Sequence, residues 1–173
     1  MTRDLAFLSG VLHREADAET SLPSLAEIGL NFFVPYLLNR IAATWNAELA
    51  GELRKFDLTT PQMRALAVLG INSGLTINEL STLTVTEQST MSRTLDTLEA
   101  RGYVGRKPRA SDLRVREVEI TAAGREAFDA FWPVMFQHYE QMFRGIGEEE
   151  FSQLVATLQK VLRNIRLAGE TEN

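Results

Sequence analysis

The residues whose types and spacing suggest chemistry lie between Gln88 and Arg116. The stretch RKPRASDLRVR (106–116) gathers five basic residues around one acid, Asp112, in a chain of formal net charge -5. Just before it, QSTMSR (88–93) offers amide and hydroxyl groups and one guanidinium within two helical turns. Amides, hydroxyls and guanidinium groups are the donors and acceptors that read base edges, and clustered arginines meet phosphate. From Arg101 to Arg116 there are six basic residues (Arg101, Arg106, Lys107, Arg109, Arg114, Arg116) against Asp112, a net of plus five. The rest carries 12 basic and 22 acidic groups. A basic patch on an acidic body still attracts phosphate, while the body is repelled, which orients the approach. The bland reading is a solvated loop whose charges aid solubility; the elements around the patch decide between the two.

Those elements are legible from pattern. TEQSTMSRTLDTLEARG predicts a helix, with Thr86 as N-cap and Gly102 just past its end. Met91, Leu95 and Leu98 share its inner face, which turns Ser89, Ser92, Arg93 and Asp96 outward. Before it, TTPQMRALAVLGI predicts a helix capped by Thr60 with Pro61 first, ended by NSG at 72–74. LTINELSTL follows as a brief extended pair and a short helix to about Leu83. After it, YVGRK (103–107) and VREVEIT (115–121) are predicted strands. Pro108 and Ser111-Asp112 suit a turn between them. Helix, short strand, helix, helix and basic hairpin is the order of a winged helix-turn-helix, which places one helix in the major groove and a hairpin beside it. The expected class is therefore mainly α (α+β), a winged helix-turn-helix with N- and C-terminal dimerisation helices.

The flanks are helical. Residues 1–24 form an N-terminal extension, with a possible helix from Arg3 to Ala16 and a linker, AETSLPS, containing Pro23. Residues 25–55 form a long helix, broken or kinked at Pro35, with Leu37, Leu38, Ile41, Trp45, Leu49 and Leu53 at helical spacing. The winged region spans 56–121, and 122–173 forms C-terminal helices. Thr121 caps the first of these. It carries Phe128, Phe131, Trp132, Met135, Phe136, Tyr139, Met142 and Phe143, and Pro133 should interrupt and kink it. GIGEEE starts the last helix, where glutamates favour the dipole. Its stripe runs through Phe151, Leu154, Val155, Leu158, Val161, Leu162 and Ile165. Together these apolar faces exceed what one small winged helix covers, which predicts a homodimer, although some must be core.

STMSRTLDTLEARGYVGRKPRASDLRVREVEIT, followed by AAGRE, resembles the MarR family of transcriptional regulators. Its Ser-Arg recognition helix, Leu-Asp-x-Leu-Glu, Arg-Gly-Tyr-Val, Asp-x-Arg and Thr-x-x-Gly elements all match, with Ile120 where the family has leucine. The likeness covers about 60–167. It implies a dimer on a pseudo-palindrome of double-stranded DNA. It implies Gln88, Ser89, Thr90, Ser92 and Arg93 as major-groove contacts, and Arg114 in the minor groove. Asp112 would then buttress Arg114 by charge-assisted bonds, or simply form the turn. Lys107 and Arg109, nearest the tip, lead the phosphate candidates; Arg106 and Arg116 follow, as phosphate contacts or solvated charge. The family also implies a small aromatic or anionic effector that releases DNA. Trp45, Trp132, Phe136 and Tyr139 could line its pocket, against the commoner reading of such rings as core.

Several classes are excluded or disfavoured. There is no cysteine, so no disulfide scaffold and no thiol sensor. With only His13 and His138, a zinc site is not expected, and no cofactor is called for. The chain has no P-loop, nucleotide-binding glycine pattern or Gly-x-Ser-x-Gly elbow, so no enzyme is expected. The N-terminal MTRDLAFLSGVLHREAD lacks a cleavage site and no run suits a membrane span, which predicts a cytoplasmic protein. The alternative function is a winged-helix protein-interaction module without sequence-specific DNA binding.

Overall fold

The computed structural model describes residues 24–170, so the predicted helix at Arg3–Ala16 and the linker at Pro23 lie outside the described residues. The elements in order are α1 (Leu25–Ile28), a 3-10 turn (Leu30–Phe32), α2 (Val34–Leu53) and a 3-10 turn (Arg54–Phe56). Then come α3 (Thr60–Ile71), α4 (Ile77–Thr84), α5 (Gln88–Ala100), β1 (Val104–Arg109), β2 (Asp112–Ile120), α6 (Ala122–Met142) and α7 (Glu148–Glu170). The chain divides into two compact units, Met1–Thr60 and Pro61–Asn173.

In the first unit, the expected break falls earlier than Pro35. The helix stops at Ile28, and Gly29 adopts φ 80°, a conformation that costs glycine little. Phe33 is extended and α2 starts at Val34, so Pro35 sits in the first turn, where its missing N–H leaves no bond unmade. The proline begins a helix instead of bending one. Leu49, Leu53 and Leu58 are buried; Leu38 and Ile41 are exposed.

In the second unit, the buried apolar side chains are Met63, Ala65, Leu66 and Leu69 of α3, Leu80 of α4, and Met91, Leu95 and Leu98 of α5. Val104 and Val118 of the hairpin and Phe131 of α6 are also buried. α3 begins one residue ahead of expectation, so Pro61 is its second residue and Thr60 lies inside it. β1 and β2 pair antiparallel, and the predicted extended pair before α4 appears as one bridge, Leu75 to Val118, with the Val118 N–H donating to the Leu75 carbonyl at 2.8 Å. α6 runs unbroken through Pro133. A proline removes one intrahelical bond, and the turns on either side hold the helix, so the expected interruption is absent.

The hairpin meets α6 by a close backbone approach. Thr121 caps α6 by accepting from the Gly124 N–H at 3.1 Å, and its hydroxyl donates to the Gly102 carbonyl at 2.6 Å. The Thr121 N–H donates to the Tyr103 carbonyl at 3.0 Å. A Cβ on Gly124 would lie 2.0 Å from that same oxygen, so only glycine lets the first turn of α6 close on β1.

Candidate nucleic-acid interface

α4 is fixed at its start by a reciprocal capping box. The Glu79 N–H donates to Thr76 Oγ1 at 3.3 Å, and the Thr76 N–H donates to Glu79 Oε2 at 2.7 Å. The Thr76 backbone N–H first, and then the Thr76 hydroxyl, which donates to the same Oε2 at 2.7 Å, hold the Glu79 carboxyl below its usual range, and Arg109 adds to the effect. α4 ends on Val85 in the left-handed region (φ 52°, ψ 52°), whose N–H donates to the Ser81 and Thr82 carbonyls. The turn then runs on for two more residues. Thr86, predicted to cap α5, donates its hydroxyl to the Thr84 carbonyl at 3.3 Å and closes this turn instead. Glu87 is the N-cap and makes no side-chain cap bond. At the far end, Gly102 takes φ 72° as expected for the residue past the helix.

α5 separates its faces as its pattern requires. Met91, Leu95 and Leu98 are fully buried, and Thr94 donates to the Thr90 carbonyl at 2.8 Å. Gln88, Ser89, Thr90 and Arg93 are exposed and Ser92 is half-buried, so the first turn and a half presents the polar groups outward.

The hairpin strands are longer than predicted, leaving only Ala110 and Ser111 at the tip. Pro108 and Asp112, expected in the turn, are strand residues: Pro108 lies opposite Arg116 and Asp112 opposite Arg109, across an irregularity between Pro108 and Arg109. A two-stranded sheet tolerates Pro108 because both strands are edges. Asp112 holds Arg114 at three points. Its Oδ1 accepts from the Arg114 backbone N–H at 3.0 Å and from Nε at 3.1 Å, and its Oδ2 accepts from a terminal nitrogen at 3.3 Å. The guanidinium lowers the Asp112 carboxyl below its usual range, helped by that N–H. Arg114 is nonetheless 92% exposed, an oriented cation aimed into solvent.

Three other wing cations, Lys107, Arg109 and Arg106, are paired. Lys107 meets Glu119 at 2.5 Å, which raises the lysine above its usual range. Arg109 Nε donates to Glu117 at 2.5 Å and its terminal nitrogen lies 3.6 Å from Glu79. Arg106, expected as a phosphate contact or solvated charge, instead bridges β1 to α5, with Asp96 at 2.7 Å and Glu99 at 3.0 Å. Arg116 is exposed. The sequence reading missed this role for Asp96, Glu99, Glu117 and Glu119. The strand register gives the last two only as diagonal neighbours, since Glu117 lies directly opposite Lys107 and Glu119 opposite Gly105, whereas the pairs formed are Arg109 with Glu117 and Lys107 with Glu119. Nothing local points from Arg106 to a helix ten residues back.

The aromatic candidates form a ladder along α6. Ring centroids step from Phe128 to Trp132 (5.8 Å), Phe136 (5.9 Å), Tyr139 (5.8 Å) and Phe143 (5.0 Å). Trp132, Phe136 and Tyr139 are exposed; Trp45 is half-buried in the other unit. An open depression of about 500 Å³ lies instead at the start of α7, lined by Glu148, Glu149, Ser152 and Gln153. Among the described residues no helix is long and apolar enough to cross a membrane.

A capped helix, a tight turn, a second helix with a polar outer face and a hairpin with an outstretched arginine define a winged helix-turn-helix protein. The MarR family model matches residues 56–114. A MarR-family transcriptional regulator from Silicibacter pomeroyi is 45% identical, covers 83% of this chain and 97% of its own, and superposes with a TM-score of 0.78. S. aureus MepR, in a complex with DNA, is 26% identical over 78% of this chain and 98% of its own, with a TM-score of 0.68. The HTH-type transcriptional repressor IacR of Pseudomonas putida is 27% identical over 143 residues, 83% of this chain and 86% of IacR. The chain belongs to the MarR family: it is a DNA-binding transcriptional regulator and not an enzyme.

Proposed function

We propose that this protein is a homodimeric repressor that binds a pseudo-palindromic operator and leaves it when a small aromatic or anionic effector binds. The observation that carries the DNA reading is Arg114, held at three points by Asp112 and 92% exposed, on a hairpin that follows a helix with an outward polar face. Gln88, Ser89, Thr90, Ser92 and Arg93 are the proposed major-groove contacts, and Arg114 the minor-groove contact. Lys107 reaches phosphate only by exchanging Glu119 for it. IacR is a repressor and MepR is seen on DNA, which supports the same action here.

The dimer is proposed from surface. Leu154, Val155, Leu158, Val161, Leu162 and Ile165 of α7 are each more than a third exposed, and so are Trp132, Phe136 and Tyr139 of α6. A stripe of that extent in contact with water marks an interface. Residues 25–55 and 122–173 are therefore assigned to dimerisation and 56–121 to DNA. The exposed rings of α6 are the proposed effector contacts.

The test is selection from a random duplex library with purified protein near physiological salt. A recovered palindrome with half-sites about one helical turn apart supports the dimeric reader. Recovery of no consensus refutes sequence-specific reading by the free protein and favours a protein-interaction role, whose binding would not weaken steeply with salt.

A further inference from the structure

The wing is tied to the helices at its base and again near its tip. At the base, Val118 bonds Leu75, and Arg106, which lies opposite Val118, reaches Asp96 and Glu99 of α5. Both links sit at one level of the hairpin. Arg114 is four residues beyond Val118 along β2, a lever of about 13 Å at the usual strand rise. A lever held only at its base swings.

Arg109 lies at the other end, opposite Asp112 beside the tip. Its side chain turns back from there. Nε donates to Glu117, whose side chain is 16% exposed and whose Oε2 lies against Gly74, where a Cβ would meet it at 3.3 Å. The far nitrogen approaches Glu79, the carboxylate that also closes the capping box of α4. Two carboxylates thus surround one guanidinium. A phosphate approaching Arg109 would have to displace one of them and then sit beside both charges, which like-charge repulsion opposes.

We propose that Arg109 is a positioning residue and not a phosphate contact: held back along the hairpin by Glu117 of β2, it reaches Glu79 of α4 and so fixes where Arg114 enters the DNA. The proposal rests on the DNA reading above.

The two roles predict opposite signs for one isosteric change. Glu117→Gln in the full chain removes a negative charge beside Arg109. If Arg109 met phosphate, freeing it would tighten DNA binding. As a strut it loses its hold, and binding weakens. The probe is a duplex selected by the unmodified protein from a random library, with affinity read by anisotropy at fixed salt. Glu117→Gln is expected to weaken binding by roughly 5- to 30-fold. In that background Arg114→Ala should cost less than about threefold, because coupled residues are not additive. Tighter binding, with the Arg114→Ala penalty unchanged, overturns the proposal. Should Glu117→Gln not fold, Arg109→Lys decides. A lysine keeps the charge but lacks the fork that spans two carboxylates. A strut predicts that it binds as weakly as Arg109→Gln, and affinity retained by lysine alone overturns the strut. If the unmodified protein selects no duplex, the DNA reading itself fails, and this role of Arg109 with it.

Discussion

Replacing Gly124 by alanine tests the joint between wing and α6 more severely than any other single methyl. The added Cβ would lie 2.0 Å from the Tyr103 carbonyl oxygen, 2.9 Å from its carbon and 3.0 Å from Ile120 Cγ1. A carbon and an oxygen do not approach within about 3.2 Å, so the two backbones must part by roughly 1.2 Å. That oxygen is the acceptor for the Thr121 N–H, and Thr121 caps α6 through Gly124 itself. Losing the cap costs about 1 kcal/mol, one strained hydrogen bond about 1, and overpacking about 1–3. Alanine returns less than about 1 kcal/mol in helix propensity. The expected net loss is about 2–4 kcal/mol, read from urea midpoints at one protein concentration, since a dimer's midpoint shifts with concentration. Gly51→Ala is the control: its Cβ meets nothing nearer than an Arg54 nitrogen at 3.9 Å, and the site is within α2, so stability should hold or rise. A loss under about 1 kcal/mol for Gly124→Ala would refute the close-approach argument.

Four further outcomes are expected. Val85→Gly relieves a β-branched residue at φ 52° that is 85% exposed, and should stabilise by about 1 kcal/mol, raising the melting temperature by about 2–4 °C; an unchanged or lower value refutes the strain. Arg114→Ala should weaken operator binding by about tenfold or more while sedimentation still shows a dimer, and equal DNA affinity would sink the wing assignment. A chain stopped after Gly147 should sediment as a monomer, and a stable dimer would place the interface elsewhere. The Glu79 carboxyl is lowered in the folded state, so its contribution is present at neutral pH and lost as pH falls below the ordinary range of about 4. The stability difference between the natural chain and Glu79→Gln should therefore shrink on acidification, and a constant difference down to pH 3 would contradict it.

Local rules carried the sequence reading a long way because winged-helix elements are punctuated locally. Gly102, Thr121 and the Met91–Leu95–Leu98 spacing each state a boundary or a face within a few residues, and each stands as expected in the structure. The misses fall where a neighbour outweighed a propensity. Thr86 is a good N-cap by type, but the left-handed Val85 carries the turn past it. Pro35 breaks a helix only when a helix precedes it, and Gly29 had already ended that one. Asp112 makes the bond of a turn former, its carboxylate accepting from the Arg114 N–H two residues on, yet backbone pairing with Arg109 also carries the strand to it. The site was legible as residue types and positions. The partners of its cations were not, since pairs such as Arg109 with Glu79 join elements thirty residues apart.

Those pairs change what the basic stretch means. Counted along the chain, Arg106 to Arg116 offers five cations to DNA. Counted in space, Arg106, Lys107 and Arg109 each face a carboxylate, leaving Arg116 exposed and Arg114 exposed in the grip of Asp112. Each phosphate contact contributes about 0.9 to the slope of log affinity against log salt. A wing that engaged all five cations would add more than 4 to that slope, and one that engages Arg114 and Arg116 adds less than 2. The geometry favours the smaller figure, for a cation that keeps its carboxylate brings no net charge to a phosphate and so releases no counterion from the duplex, and Arg114, paired with Asp112, brings less than a full charge. A protein built this way gains little from the sheer attraction of its wing for any duplex. Its discrimination must then come from where Arg114 is held and from what the first turn of α5 can read.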